Sequence, residues 1–148
     1  PGRLARRGRR LPPRTPFLLH GTWEPEPGEL LEIAIADHTG KRFHATFSDE
    51  QHLIRVLLDR RELWESANEQ DGLTRFSVEK RREGPGMDIR LFVDTCCVEL
   101  FLDGGRAVAT ELVPWDEGER RIAIGGSSPN QGGVTWELIR LIPMKIVS

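Results

Sequence analysis

From Leu31 to Ile142 the apolar residues recur close to every second position, in short runs broken by turn residues about every 8–15 positions. Successive side chains of a strand point to opposite faces, so a period of two marks strands with one buried face. Leu31, Ile33 and Ile35 alternate with Glu32, Ala34 and Ala36, and Asp37-His38-Thr39-Gly40 supplies a turn. Phe43, Ala45 and Phe47 alternate with Arg42, His44 and Thr46. Further runs cover His52–Leu58, Thr74–Glu79, Asp88–Asp94, Cys97–Asp103, Ala107–Val113, Arg120–Ile124 and Val134–Ile142. Many short strands with regular turn signals indicate an all-β sandwich or barrel rather than alternating strands and helices. The stretch Glu50–Ser66 also fits helical spacing through Leu53, Val56, Leu57 and Arg60; two strands broken near Asp59 is the preferred reading.

One hairpin follows in detail. With Thr95-Cys96 as a two-residue turn, Asp94 pairs with Cys97, Phe92 with Glu99 and Arg90 with Phe101. Ile89, Leu91, Val93, Val98, Leu100 and Leu102 then share one face and form a core stripe. The next tight turn, at Gly104-Gly105 or Asp103-Gly104, puts Val108 and Thr110 beside Phe101 and Glu99 in either register. The second face carries Arg90, Phe92, Asp94, Cys97, Glu99 and Phe101. Half apolar, it is expected to pack against a second sheet, a ligand or another domain.

The first 16 residues differ in character. They hold six arginines (Arg3, Arg6, Arg7, Arg9, Arg10 and Arg14) and no acid, leaving 15 basic against 23 acidic residues in the remainder. Pro12, Pro13 and Pro16 exclude a regular helix there, and Glu24-Pro25-Glu26-Pro27-Gly28 is a second break. Residues 1–27 therefore read as a basic, Pro/Gly-rich arm or linker, and 28–148 as the sandwich. Such an arm suits nucleic acid, a solvated linker, or a strap on an acidic neighbour. Without a basic stripe on the body, nucleic acid is not the expected partner. No run of 18 apolar residues exists, so no helical span of a membrane is expected either. The opening Pro, with no signal pattern behind it, reads as an excised or processed piece. Cys96 and Cys97 are the only cysteines; adjacent thiols suit neither a zinc site nor a disulfide framework, and fit a reducing compartment such as the cytoplasm.

The run from Ile89 to Gly105, Ile-Arg-Leu-Phe-Val-Asp-Thr-Cys-Cys-Val-Glu-Leu-Phe-Leu-Asp-Gly-Gly, resembles the signature of the C-terminal module of family 32 glycoside hydrolases. That signature is an apolar strand ending in Asp, a short turn, an apolar-Glu-apolar-Phe strand and an Asn- or Asp-Gly turn. Val108-Ala109-Thr110 and Val113-Pro114 are similar to the family's next strand, and Leu58-Asp59-Arg60 to its short Asp-Arg element. The likeness runs over about residues 28–143 and is specific across 87–114. Thr95 departs from the family's usual Arg, Cys96-Cys97 from small hydroxyl residues, and Arg61 from a common Ser.

The resemblance implies a two-sheet antiparallel β-sandwich of jelly-roll or concanavalin-like form. It also implies a parent β-fructofuranosidase whose chemistry lies elsewhere. Family members cleave sucrose, inulin or levan with two carboxylates on an N-terminal five-bladed propeller. Their Asn-Asp-Pro-Asn-Gly, Arg-Asp-Pro and Glu-Cys motifs are missing from this sequence. The expected role is a non-catalytic accessory domain packed on that propeller; the alternative is an autonomous fructan-binding module.

Candidate sugar-binding residues are Asp59, Arg60, Trp64, Asp94 and Glu99. A carboxylate and a guanidinium grip hydroxyls, and an indole covers an apolar sugar face. Against this, Asp59-Arg60 reads more readily as a surface ion pair and Trp64 as core, and the preferred reading of Glu99 is a structural acid paired diagonally with Arg90. Trp23, Trp115 and Trp136 read as core or interface. His20, His38, His44 and His52 lack the spacing of a metal-binding helix, and the glycine pairs at 104–105, 125–126 and 132–133 are turn residues, so no metal or cofactor is expected. Oligomeric state is not encoded in any of these features.

Overall fold

The computed structural model describes residues 9–64, 72–81, 84, 86–126 and 136–141. Eleven strands are present among them: β1 (Arg9–Leu11), β2 (Phe17–Trp23), β3 (Leu30–Ala36), β4 (Arg42–Glu50), β5 (Leu53–Asp59), β6 (Leu73–Glu79), β7 (Met87–Val93), β8 (Cys97–Leu102), β9 (Ala107–Leu112), β10 (Arg120–Gly126) and β11 (Trp136–Arg140). They form two antiparallel sheets, ordered β1-β10-β3-β4-β5-β6 and β11-β2-β7-β8-β9. The chain is an all-β sandwich.

Alternation decides which residues face inward. Leu31, Ile33, Ile35, Phe43, Ala45, Phe47, Ile54, Val56 and Leu58 line the inner face of the six-stranded sheet. Ile89, Leu91, Val93, Val98, Leu100 and Leu102 line that of the five-stranded sheet, all nearly inaccessible. The β7–β8 hairpin has the expected register: Phe92 faces Glu99, Arg90 faces Phe101, and the Asp94 N–H donates to Cys97 O at 3.0 Å. Thr110 and Val108 stand opposite Glu99 and Phe101. The turn at Asp37 also forms as expected. Asp37 Oδ1 accepts from the Thr39 and Lys41 amides at 2.9 and 3.0 Å, and Gly40 takes φ +91°, which favours glycine.

Two elements depart from the sequence reading. The first is the extent of the sandwich. Residues 17–23 are not part of an arm; β2 is an inner strand between β11 and β7, and Phe17, Leu19 and Trp23 belong to the core. Its pattern is obscured at Gly21, which faces inward without a side chain. The directly paired Trp136 fills that space, since a Cβ on Gly21 would meet its ring at 2.5 Å. The described part of the basic segment, from Arg9 onward, is drawn in as well, Arg3, Arg6 and Arg7 lying outside the described residues: β1 pairs with β10, Arg10 Nε lies 3.4 Å from Glu119, and Arg14 reaches Glu117 at 2.5 Å. It lies as a strap on acids of the body. The second departure follows Asp59, where the chain turns instead of starting a strand, with the Leu63 and Trp64 amides donating to Arg60 O at 3.0 and 3.1 Å.

Candidate functional site

The outer face of the five-stranded sheet is the one expected to pack against something. Register places Ile139, Leu18, Phe92, Glu99 and Thr110 in one row across all five strands. Glu137, His20, Arg90, Phe101 and Val108 form the next. Phe92 and Phe101 meet edge to face at 5.5 Å between centroids. Val108, Leu112 and Ile139 are 53%, 59% and 43% exposed, so the apolar stripe reaches both edges of the sheet uncovered. Solvated sheet faces are normally polar; this one has the composition of an interface, with an aromatic centre and a charged margin.

The charges on this face are arranged locally. Asp88 accepts from His20 Nε2 at 2.5 Å and from Arg90 Nε at 3.2 Å. Arg90 therefore pairs with Asp88, its same-face neighbour two residues back, rather than with Glu99. Among the described residues Glu99 makes no ion pair and no side-chain hydrogen bond. It stands as a half-buried carboxylate beside Phe92 and Phe101. At the end of the same hairpin, Asp94 is occupied: its Oδ1 accepts from the Thr95 amide at 2.7 Å. Burial raises the Cys97 thiol pKa, with Cys96, Asp94 and Glu99 adding to the shift, so Cys97 is not an activated nucleophile.

Asp59, Arg60 and Trp64 do come together, at the rim where β5 ends beside β9. Arg60 lies over the Trp64 ring at 4.8 Å, donates to Leu112 O at 2.7 Å and sits 3.5 Å from Glu111. It thereby clamps one sheet to the other. Asp59 accepts from the Arg61 amide, Nε and NH2 group at 3.0, 3.0 and 2.9 Å. Both charged groups are thus turned to internal partners, while Trp64 stays 38% exposed. Glu99 lies on β8 and Asp94 at the β7–β8 turn, and no pocket among the described residues is lined by either together with Asp59, Arg60 or Trp64.

Burial alone would raise the Asp59 carboxyl. The Arg61 hydrogen bonds and charge, together with nearby His44, outweigh it and hold the pKa below its usual 3.8. A carboxylate depressed on folding stabilises the fold above its unfolded pKa, and that contribution fades as pH falls through the folded value. Replacing Asp59 by Asn is therefore expected to cost about 0.2–1 kcal/mol at neutral pH, the range of a partly exposed pair. Urea unfolding of both proteins, repeated toward pH 2, should show the gap closing below the unfolded pKa; a constant gap would mean Asp59 acts by shape alone.

The family described as "Glycosyl hydrolases family 32 C terminal" matches residues 34–136, more than half of the chain. The chain belongs to this family. No curated protein sequence matches it. Among solved structures it is similar to exo-inulinase from Aspergillus awamori, at 15% identity and a TM-score of 0.66, covering 90% of this chain and 26% of that one. It is also similar to sucrose-6-phosphate hydrolase from Lactobacillus gasseri, at 17% identity and 0.59, covering 92% and 28%. A third is β-fructofuranosidase from Schwanniomyces occidentalis, in complex with fructosyl-erythritol, at 14% and 0.60, covering 92% and 30%. At these identities the likeness is one of fold. The family 32 C-terminal chain spans between a quarter and a third of the length of those proteins.

Sequence reasoning found the Phe92–Glu99–Phe101 face but not its full width. Leu18 and Ile139 complete the stripe, and they reach it only because β2 and β11 flank β7, a pairing between distant segments.

Proposed function

We propose that this chain is the non-catalytic accessory sandwich of a β-fructosidase, and that the outer face of its five-stranded sheet packs on the catalytic propeller of the same enzyme. The observation that carries the reading is the uncovered apolar stripe Ile139–Leu18–Phe92–Phe101–Val108–Leu112 on a domain that spans only part of its structural relatives. Burying that stripe removes apolar surface from water at roughly 25 cal/mol per Å². The propeller would be stabilised by linkage, because a partner that binds only the folded state raises its apparent stability. Glu99 would meet the propeller as a half-buried acid without a described partner at the centre of this face, and a donor there would complete it.

The alternative, an autonomous fructan-binding site at Asp59, Arg60 and Trp64, has weaker support. Its carboxylate and guanidinium already hold Arg61, Glu111 and Leu112 O.

The test is a pair of variants, Val108→Asp and Leu112→Asp. Both positions are exposed, so the isolated chain should keep its stability within about 0.5 kcal/mol. Affinity for the separately expressed propeller of the same enzyme, measured by calorimetry, should fall at least tenfold. Unchanged affinity in the double variant would remove this face from the interface. In the same instrument, saturable heat with levan or inulin that vanishes on Trp64→Ala would favour the alternative.

A further inference from the structure

The six-stranded sheet carries a groove on its outer face, away from the surface assigned to the propeller. Its volume is about 460 Å³, within the roughly 300–1,000 Å³ of small-molecule sites. Three neighbouring strands build it in register: Thr46, Leu57 and Arg75 stand side by side across β4, β5 and β6, and Ser48, Arg55 and Ser77 form the next row. Short hydroxyl side chains make the trough, Leu57 contributes to its lining, and two long guanidinium side chains rise diagonally across it.

The charges are unbalanced there. Arg55 gives its Nε to Glu50 at 2.6 Å, which leaves its terminal amino groups. Arg75 is exposed and, among the described residues, has no carboxylate within ion-pair distance. Of the acids on this face, Asp59, next to Leu57 on β5, is engaged by Arg61 at 2.9 Å, Glu32 is engaged by His44 Nδ1 at 3.0 Å, and Glu79 stands further along β6, opposite Leu53. Two guanidiniums on adjacent strands of one face repel each other, and an oxyanion between them relieves that repulsion. Arginine forks match phosphate oxygens two at a time. Phe76 borders the trough from an inward position of β6, opposite the buried Val56, so it presents no outward stacking platform of the kind a neutral-sugar site uses. The trough offers instead three hydroxyls, which donate to and accept from sugar hydroxyls.

We propose that this groove binds a phosphorylated sugar, with Arg55 and Arg75 on the phosphate and Thr46, Ser48 and Ser77 on the hydroxyls. The site is independent of the docking surface, so either reading can fail alone.

Calorimetry of the chain at low salt, against fructose 6-phosphate, fructose and inorganic phosphate, tests it. Fructose 6-phosphate should saturate and bind at least tenfold more tightly than either of the others. Arg75→Gln should weaken it about tenfold, and Arg55→Gln with Arg75→Gln should abolish it; both side chains are exposed, and an unchanged melting temperature confirms the fold. Inorganic phosphate binding as tightly as the sugar phosphate would overturn the role of the hydroxyls. Fructose binding equally well, no saturable heat, or full affinity in the double variant would overturn the site.

Discussion

A chain shortened to begin at Gly28 is expected not to fold. It would lack β2, which hydrogen-bonds to β11 on one side and β7 on the other, so the five-stranded sheet would lose an interior strand. Phe17, Leu19 and Trp23 would leave the core with it, each at most 2% exposed. Each is worth roughly 1.5–3 kcal/mol by burial alone, and emptying their space adds a cavity cost. The total approaches the whole net stability of a domain, about 5–15 kcal/mol. Circular dichroism during heating should show no cooperative transition in the shortened protein. A single change within the full chain, Leu19→Asp, tests the same point by placing an unpaired charge at that core position. A cooperative transition near that of the parent in both proteins would show that β7 and β11 hold together without β2.

The reason β2 escapes the sequence is specific. Prolines 12, 13 and 16 precede it, prolines 25 and 27 follow it, and its inward Gly21 breaks the apolar alternation. What fills the gap is Trp136, more than a hundred residues away and visible only once β11 lies alongside. The β7–β8 hairpin is the opposite case. Its turn, its alternation and its core stripe all lie within Met87–Leu102, so local pattern alone sets the register. Legibility thus follows the range of the deciding contact.

The same division holds for the candidate residues. Asp59, Arg60 and Trp64 are near in sequence, and their clustering at one rim is local. Their chemistry is not: Arg60 is committed to Leu112 O and Glu111 on the opposite sheet, partners no local pattern reveals. Glu99 was expected to pair diagonally with Arg90, yet Asp88 sits on the same strand and face only two residues from Arg90. Residues i and i+2 of a strand are within reach of a long guanidinium side chain. Asp88 accordingly takes that partner and leaves Glu99 beside two aromatic rings. The groove of Arg55 and Arg75 depends on the β4–β5–β6 pairing, and single runs of alternation do not display it.

Replacing Arg120 by Ala is expected to destabilise the fold by about 3–5 kcal/mol, among the largest effects of any single side chain here. Arg120 starts β10 at an inward position, in line with Ile122 and Ile124, and is only 2% exposed. Burial lowers its pKa, partly offset by Asp94 and Asp116, but a guanidinium stays charged in a protein. Its donors reach Thr15 O, ahead of β2, and Asp94 O, at the β7–β8 turn, at 3.5 Å for the latter. Its plane lies near the rings of Phe17 and Trp115, at 5.4 and 5.9 Å. One side chain therefore ties the six-stranded sheet to two loops of the other, and Ala would leave two carbonyls and two rings without their partner. At roughly 2–4 °C per kcal/mol for a domain near this size, the melting temperature should drop by roughly 6–20 °C. Arg120→Met separates the causes: it keeps the apolar stem between the rings and deletes the donors. A loss in Met close to that in Ala would assign the stability to the hydrogen bonds, whereas near-parental stability would assign it to packing. Parental stability in Ala itself would mean that this end of the sandwich closes without the arginine.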